Sequence, residues 1–127
     1  MKRTIIDGMN VFGSRPDGWW RDRSAAASRL VQQLQRLAQS TPDERFAVVF
    51  DGRPLRDYPE GVHDGVLVAY AQRTGRDAAD DRIANEVERD AEPSSLTVVT
   101  SDANLRDRVR ALGASVEGAG ALLERLS

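Results

Sequence analysis

The 127-residue sequence predicts an α/β domain whose mainly parallel central sheet is covered by helices on both faces. Two observations lead there. Short runs of β-branched and apolar residues alternate along the whole chain with stretches of helical period. Those runs are near-continuously apolar rather than apolar on alternate residues, the pattern of strands buried on both sides. The length suits one domain over residues 1–127, with a core large enough to need no covalent staple.

Each element has its own local reason. "RTIID" (3–7) reads as a first strand. "SAAASRLVQQLQRLAQ" (24–39) places Ala27, Leu30, Val31, Leu34, Leu37 and Ala38 along one helical face, with Ser24 as its expected cap. "RFAVVFD" (45–51) and "GVLVAYA" (65–71) read as strands, each near glycine or proline. "DAADDRIANEVERDA" (77–91) is helical, with Ala79, Ile83 and Val87 inward. "LTVVTSD" (96–102) is a further strand, and "NLRDRVRALG" (104–113) buries Leu105, Val109 and Leu112 before Gly113 ends it. "ASVEG" (114–118) and "GALLERL" (120–126) complete the chain as a strand and a helix. Segments 11–23 and 52–63 remain as long irregular loops, a length often tied to function.

Composition narrows the chemistry. Cysteine is absent, which excludes disulfides, thiolate metal sites and thiol nucleophiles. There is no apolar leader and no run near the eighteen residues of a membrane span, so the chain is expected to work in solution in the cytoplasm, away from membranes. Phosphate-binding G-x-x-x-x-G-K-[ST], dinucleotide G-x-G-x-x-G and nucleophile-elbow G-x-S-x-G patterns are all missing. His63 stands alone in a turn-like stretch and is expected at the surface, not as a catalytic base. Lys2 is the only lysine, which argues against a phospho-accepting receiver domain. The net charge is −2, with the excess bases in residues 1–40 and the acids concentrated in residues 41–95.

Acids recur where strands are expected to end. "IIDG" ends at Asp7, "VVFDG" at Asp51 and "VVTSD" at Asp102, while Asp77, Asp80 and Asp81 open the helix after the strand at 65–71. In an open parallel sheet the carboxyl ends of the strands share one rim, where ligands gather. Any one of these aspartates alone is best read as a helix cap or turn acid. Together they pose a problem, because carboxylates about 5 Å apart repel by roughly 3 kcal/mol per pair at an effective dielectric near 20. Either some are protonated or a cation sits among them. Hard oxygen donors suit Mg²⁺ or Mn²⁺, ions that commonly act on phosphate oxygens.

"DGMNV", "VVFDG", "RDAADDRI" and "VVTSD" occur in the order and spacing of the NYN/YacP-like division of PIN-like ribonucleases, and the resemblance covers nearly the whole chain. It implies a Rossmann-like fold, a divalent-metal site and endoribonuclease activity, or in some members RNA binding without cleavage. Carried over by position, Asp7 resembles the first metal-site acid and Asn10 the amide that shapes the site. Asp80 with Asp81 resembles the mid-chain acidic position, and Asp102 the acid after the fourth strand. Asp51, Asp77, Asn104 and Asp107 are candidates for a further ligand or for a partner of one. Gly8 is expected to let the backbone leave the first strand close to the metal.

The resemblance and the acids together point to metal-dependent hydrolysis of RNA, single-stranded or unpaired, in RNA processing or decay. A catalytically silent RNA-binding or partner-recruiting module is the alternative. In the loop "SRPDGWWRDR", Trp19 and Trp20 can stack bases while Arg15, Arg21 and Arg23 meet phosphates. The same tryptophans can instead pack against the 24–39 helix as part of the core. Arg53 and Arg76 are further phosphate candidates.

Overall fold

A computed structural model describes residues 1–71 and 77–127. Its centre is a six-stranded sheet in the order β3-β4-β2-β1-β5-β6. The strands are β1 (Lys2–Asp7), β2 (Glu44–Phe50), β3 (Gly61–His63), β4 (Val66–Tyr70), β5 (Leu96–Val99) and β6 (Ser115–Glu117). All neighbours run parallel except β3 and β4, which form an antiparallel hairpin. The helices are α1 (Gly8–Gly13), α2 (Arg23–Ser40), α3 (Ala78–Glu88), α4 (Ala103–Ala111) and α5 (Ala119–Leu126).

The apolar runs explain the layering. On β1, Ile6 packs on one face with Val11 and Phe12 of α1, Leu30, Val31 and Leu34 of α2, and Leu122 of α5. Ile5, its neighbour, points to the other face, where Ile83 and Val87 of α3 and Leu105 and Val109 of α4 form the second core. Successive strand residues thus face opposite layers, which is why both must be apolar.

The structure departs from the sequence reading at five places. The segment following β1 is not loop throughout: it turns directly into α1, whose six residues are too few to show a period and which forms because Val11 and Phe12 bury. The segment 52–63 ends in β3, which the sequence signals through Asp64 and Gly65. Both have positive φ, 47° and 85°, as a two-residue hairpin turn requires. The α2 cap is Asp22, not Ser24: its carboxylate accepts a hydrogen bond from the Ala25 backbone N–H at 3.0 Å, and the helix starts at Arg23. Two strands are also shorter than expected. β2 ends at Phe50 and β5 at Val99, so Asp51 and Asp102 lie beyond the ladder on turning backbone.

Gly8 has a packing reason. A Cβ there would overlap the Phe50 ring, so only glycine lets α1 start directly off β1 beneath that side chain.

Candidate active site

The strand order reverses between β1 and β5, the place where an open α/β sheet forms a crevice at its carboxyl edge. Asp7 is the last residue of β1 and Asp102 the cap of α4, just past β5. Asp80 lies in the first turn of α3. These three line one open cavity of about 380 Å³ with Asn10, Asp51 and Asp77. Met9, Ser14 and Trp19 form part of its wall.

Asp7 is buried, with only 5% of its surface exposed. The fully buried Thr100 explains how a carboxylate is tolerated there. Its hydroxyl donates to Asp7 Oδ2 at 2.9 Å and accepts from the Asp102 backbone N–H at 3.1 Å. Because the amide is itself a donor to the hydroxyl oxygen, the single O–H proton is directed to Asp7. The Asp102 carboxylate in turn accepts from the Leu105 N–H at 3.1 Å, capping α4. Asn10 Oδ1 accepts from the Ser101 N–H at 2.8 Å, and Ser101 Oγ accepts from the Ala119 N–H at 3.0 Å. Through these bonds α1, the turn after β5 and the start of α5 are tied together behind the acids.

Burial pushes the Asp7 pKa up to about 6, with the charges of Asp80 and Asp102 adding to the shift. The Thr100 hydrogen bond and the Asn10 backbone amide oppose it. Asp80 is likewise raised to about 6, by burial first and then by the charges of Asp102 and Asp77, with Arg108 opposing. The pocket therefore concentrates negative charge that water screens poorly, an arrangement that favours a cation or a proton. Among the described residues, no three Asp, Glu or His side chains come close enough together to cage an ion by themselves.

The expected site is only partly assembled. Asp7, Asn10, Asp51, Asp77, Asp80 and Asp102 share the cavity. Asp81 does not line it: successive helical residues point about 100° apart, and its carboxylate accepts from Arg108 of α4 at 2.9 Å. Asn104 and Asp107 are placed on α4 and do not line the cavity either. Sequence reading passes over Thr100 and Ser101, although both sit inside the quoted "VVTSD". Hydroxyls ahead of the acid are the available signal.

The loop residues divide. Trp19 is half-buried, its ring edge-on to Phe12 at 5.7 Å, yet it still borders the acidic cavity. Trp20 is 58% exposed, and the Arg21 guanidinium lies 5.9 Å from its ring centre. Arg15 donates to Gln33 at 2.8 Å, which pins the loop to α2. Arg23 reaches Asp51 at 3.4 Å, and Arg53 is exposed beside it. Arg76 lies outside the described residues. His63 sits on β3, bonded to the Pro59 carbonyl and away from the acids.

No helix among the described residues is long and apolar enough to cross a membrane. No curated protein matches the chain. Two crystal structures of Rae1 (YacP) from Bacillus subtilis share the fold. One superposes with a TM-score of 0.80 at 25% identity, over 99% of this chain and 74% of that one. The other, a W164L mutant, gives 0.77 at 24% identity, over 99% and 75%. A family model described as the YacP-like NYN domain matches residues 4–127. The chain therefore belongs to the YacP-like NYN domain family, a membership that supports a ribonuclease-type function on RNA.

Proposed function

We propose that the chain is a divalent-metal-dependent endoribonuclease hydrolysing phosphodiester bonds of single-stranded or unpaired RNA, in RNA processing or decay. The observation that carries this reading is the convergence of Asp7, Asp80 and Asp102 on one open cavity in a YacP-like NYN domain. These donors are all hard oxygen, with neither thiolate nor imidazole among them, which fits Mg²⁺ or Mn²⁺. Such ions ordinarily keep several waters, so three spaced carboxylates suffice without a closed cage. When bound, the ion would supply Lewis-acid stabilisation of the phosphoryl oxygens and a more acidic water.

The chain's own residues prepare the site. Thr100 holds the Asp7 carboxylate as an acceptor in a fixed rotamer, and the cap bond to Leu105 does the same for Asp102. Arg108 pairs with Asp81 outside the cavity and tempers the charge at Asp80. Trp19 and Asn10 shape the wall against which an RNA strand would lie.

The test is cleavage of a labelled RNA panel in Mn²⁺, Mg²⁺ or EDTA, with Asp102→Asn as control. Cleavage should require the metal and vanish in the variant. Asn still accepts the Leu105 bond as a good cap, so thermal melts in EDTA should shift by no more than about 0.5 kcal/mol. RNA binding with no EDTA-sensitive cleavage that depends on these acids would overturn the enzymatic reading and leave a silent binding module.

A further inference from the structure

Arg3, Arg15, Arg82, Arg106 and Arg125 are the partly buried arginines among the described residues. Arg3 is engaged with Asp90, Arg15 with Gln33, Arg82 with Glu60 and Arg125 with Glu44. The Arg106 guanidinium alone has neither a hydrogen bond nor an ion pair among the described residues. An arginine drawn partly out of water ordinarily meets an anion or a carbonyl, so its expected partner lies outside the fold.

Its place says what that partner is. Arg106 lies on α4 one turn after Asp102, and its Nη1 lies beside Gly118, the residue between β6 and α5. A Cβ on Gly118 would stand 3.8 Å from that nitrogen and 3.7 Å from Ser101 Oγ, both ordinary contacts. With φ at −76°, the backbone does not demand glycine there either. What the missing side chain leaves is a gap between a hydroxyl and a guanidinium. The Ser101 hydroxyl accepts from the Ala119 N–H, which leaves its own proton to donate. Ser101 also lines the acidic cavity, so the gap and the cavity adjoin. Other cations near the acids are already neutralised, Arg108 by Asp81 and Arg23 by Asp51.

We propose that Arg106 and the Ser101 hydroxyl grip the RNA phosphate adjoining the phosphodiester in the acidic cavity, seated in the gap over Gly118. This rests on the ribonuclease reading above and adds where the strand leaves the acids: over the turns that follow β5 and β6. Charge selects the occupant. Asp7, Asp51, Asp77, Asp80 and Asp102 line the cavity and repel a polyanion, and a fixed guanidinium at the rim offsets that repulsion where the backbone passes. A guanidinium and a hydroxyl both donate to phosphate oxygens and touch no base, so the contact positions the strand without reading its sequence.

Short single-stranded RNAs carrying one uncharged methylphosphonate linkage at successive positions, titrated in EDTA, test the contact. For the unaltered protein the linkage that meets Arg106 should weaken binding about tenfold when neutralised, the scale of a hydrogen bond to a charged group. Arg106→Gln keeps most of the stem, removes the charge and gives up no partner, so its melting temperature should match that of the unaltered protein. It should bind intact RNA about tenfold more weakly and lower the log–log salt slope by about 0.7. It should also become indifferent to that one linkage while staying sensitive to the others. Gly118→Asp is a second variant. Aspartate suits a helix N-cap and sets a carboxylate beside Arg106, so this variant should melt no lower and lose the same linkage. An unchanged salt slope in Arg106→Gln, or undiminished sensitivity at every linkage in either variant, overturns the proposal. A lowered melting temperature in Arg106→Gln with RNA affinity intact overturns it too, by making the residue structural. The two readings separate in Mn²⁺. Cleavage with no linkage that depends on Arg106 removes the contact and keeps the nuclease, whereas an Arg106-dependent linkage without cleavage keeps the contact and removes the nuclease.

Discussion

The proton on Asp7 is a measurable quantity. A carboxyl raised to about 6 when folded, from 3.8 when free, binds its proton more tightly in the native state. The contribution of Asp7 to stability without metal is therefore fully present below about pH 4 and is lost as pH rises through about 6, the reverse of the usual paired acid. Asp7→Asn should reduce that slope, leaving the part that comes from Asp80, and stabilise the metal-free protein at pH 7.5 by up to about 3 kcal/mol, since each tenfold change in proton affinity corresponds to roughly 1.4 kcal/mol. Urea melts in EDTA at pH 4.5 and 7.5 check it, and a variant with the unaltered slope would contradict the assignment. Thr100 offers the opposite case. Thr100→Val leaves both the Asp7 carboxylate and the Asp102 N–H without their partner, which should cost about 2–4 kcal/mol. Thr100→Ser keeps the hydroxyl and should recover most of that loss. Neither role follows from residue type alone, because a threonine beside an acid in sequence is as often exposed as shared between two carboxyl-bearing segments.

At the scale of elements, the connection from β1 to α2 holds two tryptophans with different work. Trp19 packs edge-on to Phe12 and joins the core beneath α2, whereas Trp20 stands largely in solvent with Arg21 near its face. Trp19→Ala should lower stability by about 2 kcal/mol, a discounted value for a ring only partly buried. Trp20→Ala should leave the melting temperature nearly unchanged and weaken RNA binding by about 1–3 kcal/mol if its face stacks a base. Parallel melts and RNA titrations in one buffer decide both, and an unstable Trp20→Ala would reverse the assignment. The sequence places the two side by side in a polar loop and leaves either role open for each. What separates them is the 3-10 turn Trp19–Arg21, which sets the two rings at 88° to each other and sends one inward.

For the molecule as a whole, the last helix is fastened at the edge of the sheet opposite the acids. Glu44, at the start of β2, accepts from Arg125 of α5 at 2.8 Å and from the Thr4 hydroxyl of β1 at 2.6 Å. Burial alone would raise the Glu44 pKa, but these hydrogen bonds outweigh it and leave the carboxyl below its usual value. Its contribution to stability is therefore present at neutral pH and lost as pH falls through that lowered value. Arg125→Ala leaves the buried Glu44 carboxylate only the Thr4 hydroxyl and the more distant Lys2 ammonium, and should cost about 1.5–3 kcal/mol, moving acid unfolding to higher pH. A pH series of thermal melts reads both effects, and an unshifted acid limb would show that α5 is held by its apolar face alone.

Much of this architecture was legible beforehand. Apolar runs long enough to lie between two helix layers predicted the parallel strands, and Ile5 and Ile6 show why: adjacent residues are buried in separate cores. The period of 24–39 predicted α2, since Leu30, Val31 and Leu34 fall on one stripe whatever lies beneath. "DGMNV", "VVFDG" and "VVTSD" placed acids at strand ends, and a parallel sheet puts all such ends on one edge. Tertiary structure alone decided which of them meet. Asp80 faces the cavity and Asp81 turns to Arg108, a difference of one residue on a helix whose rotation is set by Ile83 and Val87 packing on the sheet. Likewise α1 exists because Gly8 clears Phe50, a residue forty-two positions away. Local sequence carries periodicity and strand ends; helix rotation, partner choice and cavity walls depend on contacts between segments far apart in the chain, which no local pattern encodes.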